Sequence, residues 1–327
     1  MRDASVSWQK ILAQGFATKE ALLDYLSLPH TLGSDGAEQQ FKTRVPRGFA
    51  RRMQAGNPTD PLLLQVLAVD QELHETEGYS VDPLAEAAAN PLQGLIHKYQ
   101  GRVLLTLTGA CAVNCRYCFR RHFPYQDNNP GREGWRRVID YIREDSAIHE
   151  VILSGGDPFM ASDLVMGELI KALGEINHVR TVRFHTRIPV VLPERINAAL
   201  LEQLTASRLR KVIVIHCNHP QEIDETVAKA CLALHQAGCQ LLNQSVLLKG
   251  INDRPDVLAA LSERLFDCQV LPYYLHVLDK IKGGAHFDMP DDEALAIYRQ
   301  LQAMLPGYLV PRLAREEAGK KHKTLLV

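Results

Sequence analysis

Three cysteines crowd into eight residues of the string GACAVNCRYCFRRHF: Cys111, Cys115 and Cys118, spaced C-x3-C-x2-C. Thiolates are soft ligands, and three on one short loop can converge on one inorganic centre. A structural zinc takes four ligands, and His122 is the only close substitute for a fourth. A 4Fe–4S cluster held by three cysteines would instead leave one iron open to another molecule. The remaining cysteines, Cys217, Cys231, Cys239 and Cys268, are dispersed and read as packing residues. Seven cysteines, three of them clustered, suit metal chemistry better than a disulfide scaffold.

A second candidate is LSGGDPF. Gly155 and Gly156 remove side chains where backbone must turn sharply or approach something closely. Asp157 could cap a helix there or meet a ligand. His216 and His219, in HCNHP, read as residues that line a site or position a loop.

These loops need elements to carry them. Six β-rich runs follow residue 100: 102–108, 150–154, 181–186, 211–216, 240–248 and 268–276. Amphipathic helical segments lie between them, as in SDLVMGELIKALGEI and DETVAKACLALHQAG. Alternating strands and helices predict an α/β fold with a parallel sheet. The pattern leaves open whether the sheet curls into an incomplete barrel or stays flat. The cysteine loop follows the first run and the Gly-Gly-Asp loop the second. Both therefore fall at the carboxyl ends of strands, where α/β active sites gather. Residues 1–94 read as helices and loops, 95–276 as the barrel or sheet, and 277–327 as a loop, a helix and an extended basic tail.

Composition narrows the function classes. Of 327 residues 46 % are hydrophobic and 23 % charged, so a disordered chain or a coiled coil is excluded. The 37 Lys and Arg balance 38 Asp and Glu, which leaves no basic surplus for general nucleic-acid binding. No apolar run reaches the roughly 18 residues of a membrane span. MRDASVSWQK lacks a signal-peptide layout, so a cytoplasmic protein is expected.

The cysteine loop resembles that of the radical S-adenosylmethionine enzymes, whose signature C-x3-C-x-aromatic-C is matched by Cys111, Cys115, Tyr117 and Cys118. The resemblance implies a partial (β/α)6 barrel and a 4Fe–4S cluster whose open iron binds S-adenosylmethionine. It implies that one electron then generates a 5′-deoxyadenosyl radical. Gly155, Gly156 and Asp157 resemble the superfamily segment that contacts the methionine amino group, with Asp in place of Glu.

Longer strings are similar to the lysine 2,3-aminomutase family: KYQGRVLLTLTGACAVNCRYCFRRHF, HTRIPVVLPERI, NQSVLLKGIND and GGAHFDMP among them. That family uses pyridoxal phosphate as well and moves the α-amino group of lysine to the β-carbon. The resemblance implies that Tyr99 and Arg102 contact pyridoxal phosphate, Arg120 holds the substrate carboxylate and Asp279 receives the side-chain ammonium. In EEAGKKHKTLLV it implies that Lys323 carries the cofactor, with Lys320 and Lys321 as rivals. The tail departs from the family pattern. Only Gly319 remains of a glycine run, Leu325 stands where proline is expected, and the family's second ammonium-binding carboxylate has no clear match, with Glu316 and Glu317 as candidate substitutes. The shortened end is most similar to the branch that makes (R)-β-lysine for elongation factor P, with a β-lysyl ligase and an electron donor as partners. Two alternatives stay open: a radical aminomutase for another amino acid such as glutamate, and a non-catalytic iron–sulfur protein.

Overall fold

The computed structural model describes residues 7–125, 128 and 131–327, with backbone alone at 87, 88, 132 and 133. One nine-stranded sheet runs through the chain in sequential order: β1 (Leu95–Tyr99), β2 (Arg102–Thr108), β3 (Glu150–Gly155), β4 (Thr181–Thr186), β5 (Arg210–His216), β6 (Cys239–Val246), β7 (Val270–His276), β8 (Arg312–Arg315) and β9 (Thr324–Leu325). From β2 to β8 every pairing is parallel, while β1 and β9 are antiparallel additions at the two edges. Sequential parallel strands joined by crossover helices are the construction of an α/β barrel. Left open between β1 and β9, the sheet forms the partial barrel.

The six runs seen in the sequence are β2 to β7. Helices Gly131–Glu144, Asp163–Gly174, Ala198–Ala206, Glu225–Gln236 and Pro255–Asp267 connect them, and Asp291–Met304 leads from β7 to β8. Pro255–Asp267 did not stand out in the sequence. Neither did β1, β8 or β9. The extended basic tail is in fact a hairpin, and it joins the same sheet.

Strand alternation separates packing from chemistry. On β4, Val182, Phe184 and Thr186 are buried, whereas Arg183 and His185 between them face a central cavity. The period of two repeats around the barrel and presents Ser154, His216, Gln244 and His276 to the same cavity. Apolar side chains on the opposite face meet the helices in one core.

The N-terminal region is helical only in short pieces, such as Lys19–Tyr25 and Pro61–Leu64. Leu22, Leu23, Phe49, Leu62 and Leu63 are all 0 % exposed and belong to the same core as the barrel. Each such side chain contributes roughly 1.5–3 kcal/mol of hydrophobic stabilisation, so this region is packed onto the barrel. No helix of the described residues is long and apolar enough to cross a membrane.

Candidate active site

All eleven candidate residues line one cavity of about 460 Å³: the three clustered cysteines, Lys323, Tyr99, Arg102, Arg120, Gly155, Gly156, Asp157 and Asp279. Lys320, Lys321, Glu317 and His122 are not among its lining residues. His122 instead bonds to the carbonyl of Lys282 at 3.2 Å.

The cysteine loop is held from the N-terminal side. Glu72 accepts two bonds from Arg116 (2.8 and 2.6 Å) and one from Arg121 (2.7 Å), with Arg116 fully buried. Arg44 donates to the carbonyl of Cys111 at 2.8 Å. The Tyr117 hydroxyl lies between Gln65 and His216, at 3.2 and 2.9 Å. From the barrel side, Arg187 Nη1 donates to Cys115 Sγ at 2.8 Å while Nη2 pairs with the buried carboxylate of Glu222 at 2.9 Å. Burial, and after it the neighbouring Cys118, pushes the Cys111 thiol well up; burial and then Cys115 push Cys118 to about 11. Metal ligation would therefore release protons. Among the described residues no three His, Cys, Asp or Glu side chains converge on a single-ion site. A cluster spreads its cysteines over separate irons and does not ask for such convergence.

The glycines have a packing reason. Gly155 adopts φ +107°, and a Cβ there would lie 2.7 Å from the carbonyl oxygen of Thr108. A Cβ on Gly156 would overlap the carbonyl of Ala110. The N–H of Gly156 donates to Thr108 (2.7 Å) and that of Asp157 to Ala110 (2.8 Å), so the end of β3 lies directly against the chain entering Cys111. The Asp157 carboxylate accepts from Thr186 Oγ1 and from the backbone N–H groups of Phe159, Arg187 and Ile188, at 2.7–3.1 Å. It caps the 3-10 turn Pro158–Met160 and ties β3 to β4. Both of its oxygens are engaged by protein donors, and the residue also lines the cavity.

Tyr99 and Arg102 face each other across the β1–β2 turn, where Gly101 has φ +77°. The guanidinium of Arg102 sits 4.6 Å over the Tyr99 ring. At the other edge, the register of β8 and β9 pairs Arg315 with Thr324. One step further along that hairpin, Lys323 Nζ lies 2.7 Å from Glu316 Oε2. Tyr99 donates to the other Glu316 oxygen at 3.2 Å, and Lys98 is 3.7 Å from it. Burial raises the Glu316 carboxyl, but Lys323, with Lys98 and His276 behind it, brings it down to about 2. Asp279 shows the reverse: burial, and then the Glu316 charge, push it up to about 7. Of the two tail carboxylates, Glu316 lines the cavity and Glu317 bonds to Thr324.

Arg120 is buried and makes a two-bond ion pair with Glu86, both at 2.7 Å, plus a bond to Ser154 at 2.9 Å.

A model of the radical SAM superfamily matches residues 105–261. The L-lysine 2,3-aminomutase of Haemophilus influenzae is 48 % identical over 98 % of this chain and 95 % of its own. That of Escherichia coli K12 is 46 % identical over 98 % and 94 %. The Clostridium subterminale enzyme of the same name is 35 % identical over 97 % of this chain and 77 % of its own. The chain belongs to the lysine 2,3-aminomutase family.

A lysine 2,3-aminomutase family member is an isomerase, and membership implies a 4Fe–4S cluster, S-adenosylmethionine and pyridoxal phosphate. The residues present suit these groups. Three thiols from one loop are the donor set of a cluster with an open iron. A primary amine inside the cavity, on Lys323, is what a pyridoxal aldehyde needs. Cations for its phosphate are at hand in Arg102 and Arg312, which line the same cavity.

Several family-member residues gave no sequence signal. Glu72, Glu86 and Glu222 each lie far along the chain from the arginine they pair with. Arg187 does stand in HTRIP, directly after β4, at the same strand-end position that singled out the cysteine and glycine loops.

Proposed function

We propose that the protein converts L-α-lysine to (R)-β-lysine using pyridoxal phosphate, a 4Fe–4S cluster and S-adenosylmethionine. One observation carries this reading: the cysteine triad after β2 and the Lys323–Glu316 pair of the β8–β9 hairpin line one cavity. When bound, the cluster and S-adenosylmethionine would supply a carbon radical that takes a hydrogen atom, and pyridoxal phosphate an aldehyde for the migrating amine.

The chain's own residues then bind and orient. Lys323 anchors pyridoxal phosphate, with Tyr99 and Arg102 beside it. Arg120 takes the substrate carboxylate. Asp279 and Glu316 take the side-chain ammonium, whose positive charge would draw Asp279 into its ionised form. His276, pushed down to about 3 by burial and then by Lys323, stays neutral and adds no competing cation. Gly155 and Gly156 bring the β3 end against the cluster loop, where its main chain can meet the methionine part of S-adenosylmethionine. Enclosure by the barrel and the tail hairpin keeps water from a reactive radical.

The two carboxylates favour lysine over glutamate, because a third carboxylate brought against Asp279 and Glu316 would be repelled. Family membership speaks against the non-catalytic iron–sulfur alternative. Kinship with the short family branch supports a cytoplasmic role in modifying elongation factor P, with a β-lysyl ligase to attach the product and an electron donor to reduce the cluster. The charge balance offers no general nucleic-acid surface.

The test is anaerobic. Reconstituted protein receives pyridoxal phosphate, S-adenosylmethionine, reductant and L-lysine, and products are resolved by chiral chromatography with mass detection. (R)-β-lysine is expected, and it should vanish in Cys115→Ala and Lys323→Ala. Cleavage of S-adenosylmethionine without β-lysine would discard lysine as the substrate.

A further inference from the structure

Arg120 raises a question of supply. A guanidinium carries five N–H donors, and among the described residues Nε and Nη2 give one each to Glu86 and Nη1 gives one to Ser154. The pair with Glu86 therefore occupies the side edge of the guanidinium. One N–H on Nη1 and one on Nη2 are left, and Nη1 and Nη2 together make up its end-on fork. That fork is a two-point match for a carboxylate.

We propose that Glu86 is a positioning residue for substrate binding: by gripping the side edge of Arg120 it presents the end-on fork to the α-carboxylate of a free amino acid. The proposal rests on the reading that Arg120 holds that carboxylate, and it adds what aims it.

Three features of the N-terminal segment support this. Glu86 is buried at 5 % exposure and lines the cavity. Its N–H is bound by the Asp82 side chain at 3.1 Å. Ala85 just before it adopts φ +49°, a left-handed conformation that is unfavourable for a residue with a Cβ. A strained residue next to a buried carboxylate is the kind of expense retained at working sites. Lys98 lies 3.7 Å from both Glu86 and Glu316, so the carboxylate-binding and ammonium-binding ends of the cavity share one intervening cation. Glu86 also neutralises Arg120, so its presence must help through geometry and not through charge. An arginine released from Glu86 would keep its charge and lose its direction.

The experiment compares affinity for L-lysine with affinity for L-lysinamide, which lacks the carboxylate. Calorimetric titration uses protein loaded with cluster and pyridoxal phosphate, with S-adenosylmethionine left out so that nothing turns over. Wild-type protein should prefer lysine. In Glu86→Gln that preference should fall about tenfold or more, the worth of a charge-assisted hydrogen bond, while in a separate turnover assay with S-adenosylmethionine and reductant added kcat at saturating lysine changes far less than KM. Arg120→Gln should lose the same preference. A preference unchanged in Glu86→Gln but lost in Arg120→Gln would overturn the role given to Glu86 alone. A preference that rises in Glu86→Gln would overturn it too, since Glu86 would then be a competitor for Arg120. A preference unchanged in Arg120→Gln would overturn the reading of Arg120 itself. Should Glu86→Gln not fold, Glu86→Asp withdraws the same carboxylate by one methylene and is read by the same ratio.

Discussion

Lys323 and Glu316 oppose each other across the β8–β9 hairpin, 2.7 Å apart, as the next pair after Arg315 and Thr324 in its antiparallel register. The sequence favours Lys323 over its rivals Lys320 and Lys321 and leaves Glu316 and Glu317 as equals; the hairpin register brings Lys323 and Glu316 together. The hairpin turns Lys323 and Glu316 inward together, and Lys320, Lys321 and Glu317 do not reach the cavity lining. Glu316 fixes the position of the Lys323 amine through this ion pair.

The first prediction concerns that amine. Borohydride treatment of protein loaded with pyridoxal phosphate should fix the cofactor to the peptide containing Lys323, as read by peptide mass mapping. Lys323→Ala should abolish the adduct. Lys320→Ala and Lys321→Ala should retain it, and loss of the adduct in either would move the anchor.

Asp279 should show itself in the pH dependence of stability. Its folded-state pKa of about 7 lies above the ordinary carboxyl value, so the folded protein binds this proton more tightly than the unfolded chain. Stability from this group is therefore fully present below about pH 4 and declines as pH rises towards 7. Asp279→Asn should raise the melting temperature of cofactor-free protein at pH 8 and leave it nearly unchanged at pH 4. Equal effects at both pH values would contradict the assignment.

Glu72 joins the N-terminal region to the cluster loop. In Glu72→Gln the fully buried Arg116 loses its counter-charge, a change that costs about 3–5 kcal/mol for a buried pair. Melting temperature should fall, and iron retained after anaerobic reconstitution should fall with it. Full iron loading with lowered stability would show that the clamp supports the fold without shaping the cluster loop.

Gly156→Ala isolates the contact between β3 and the cysteine loop. The added methyl would push on the Ala110 carbonyl, a backbone atom that cannot swing away. Overpacking of this kind costs roughly 1–3 kcal/mol, and displacement of the chain entering Cys111 should reduce bound iron. Iron counting and the absorbance of the reconstituted cluster check it; normal loading would mean that the loop absorbs the shift.

How much of this was legible in the sequence follows from the range of each interaction. The cysteine triad, the Gly-Gly-Asp turn and six strands with most of their helices are local patterns, written in spacing and in period, and they appear in the structure where the pattern put them. The family resemblance rests on strings of the same local kind. Register and long-range pairing are different. Strand β9 is two residues long and has no pattern of its own; only pairing with β8 makes it a strand and aims Lys323. The carboxylates that hold Arg116, Arg120 and Arg187 come from residues 72, 86 and 222, and no one-dimensional signal links a buried charge to a partner 34 to 44 positions away. Asp157 marks the same boundary from the other side. Its motif was plain, but the four protein donors that its oxygens meet depended on where β4 came to lie. Burial decides such cases, because a charged group taken out of water must find partners and only the folded chain brings them within reach.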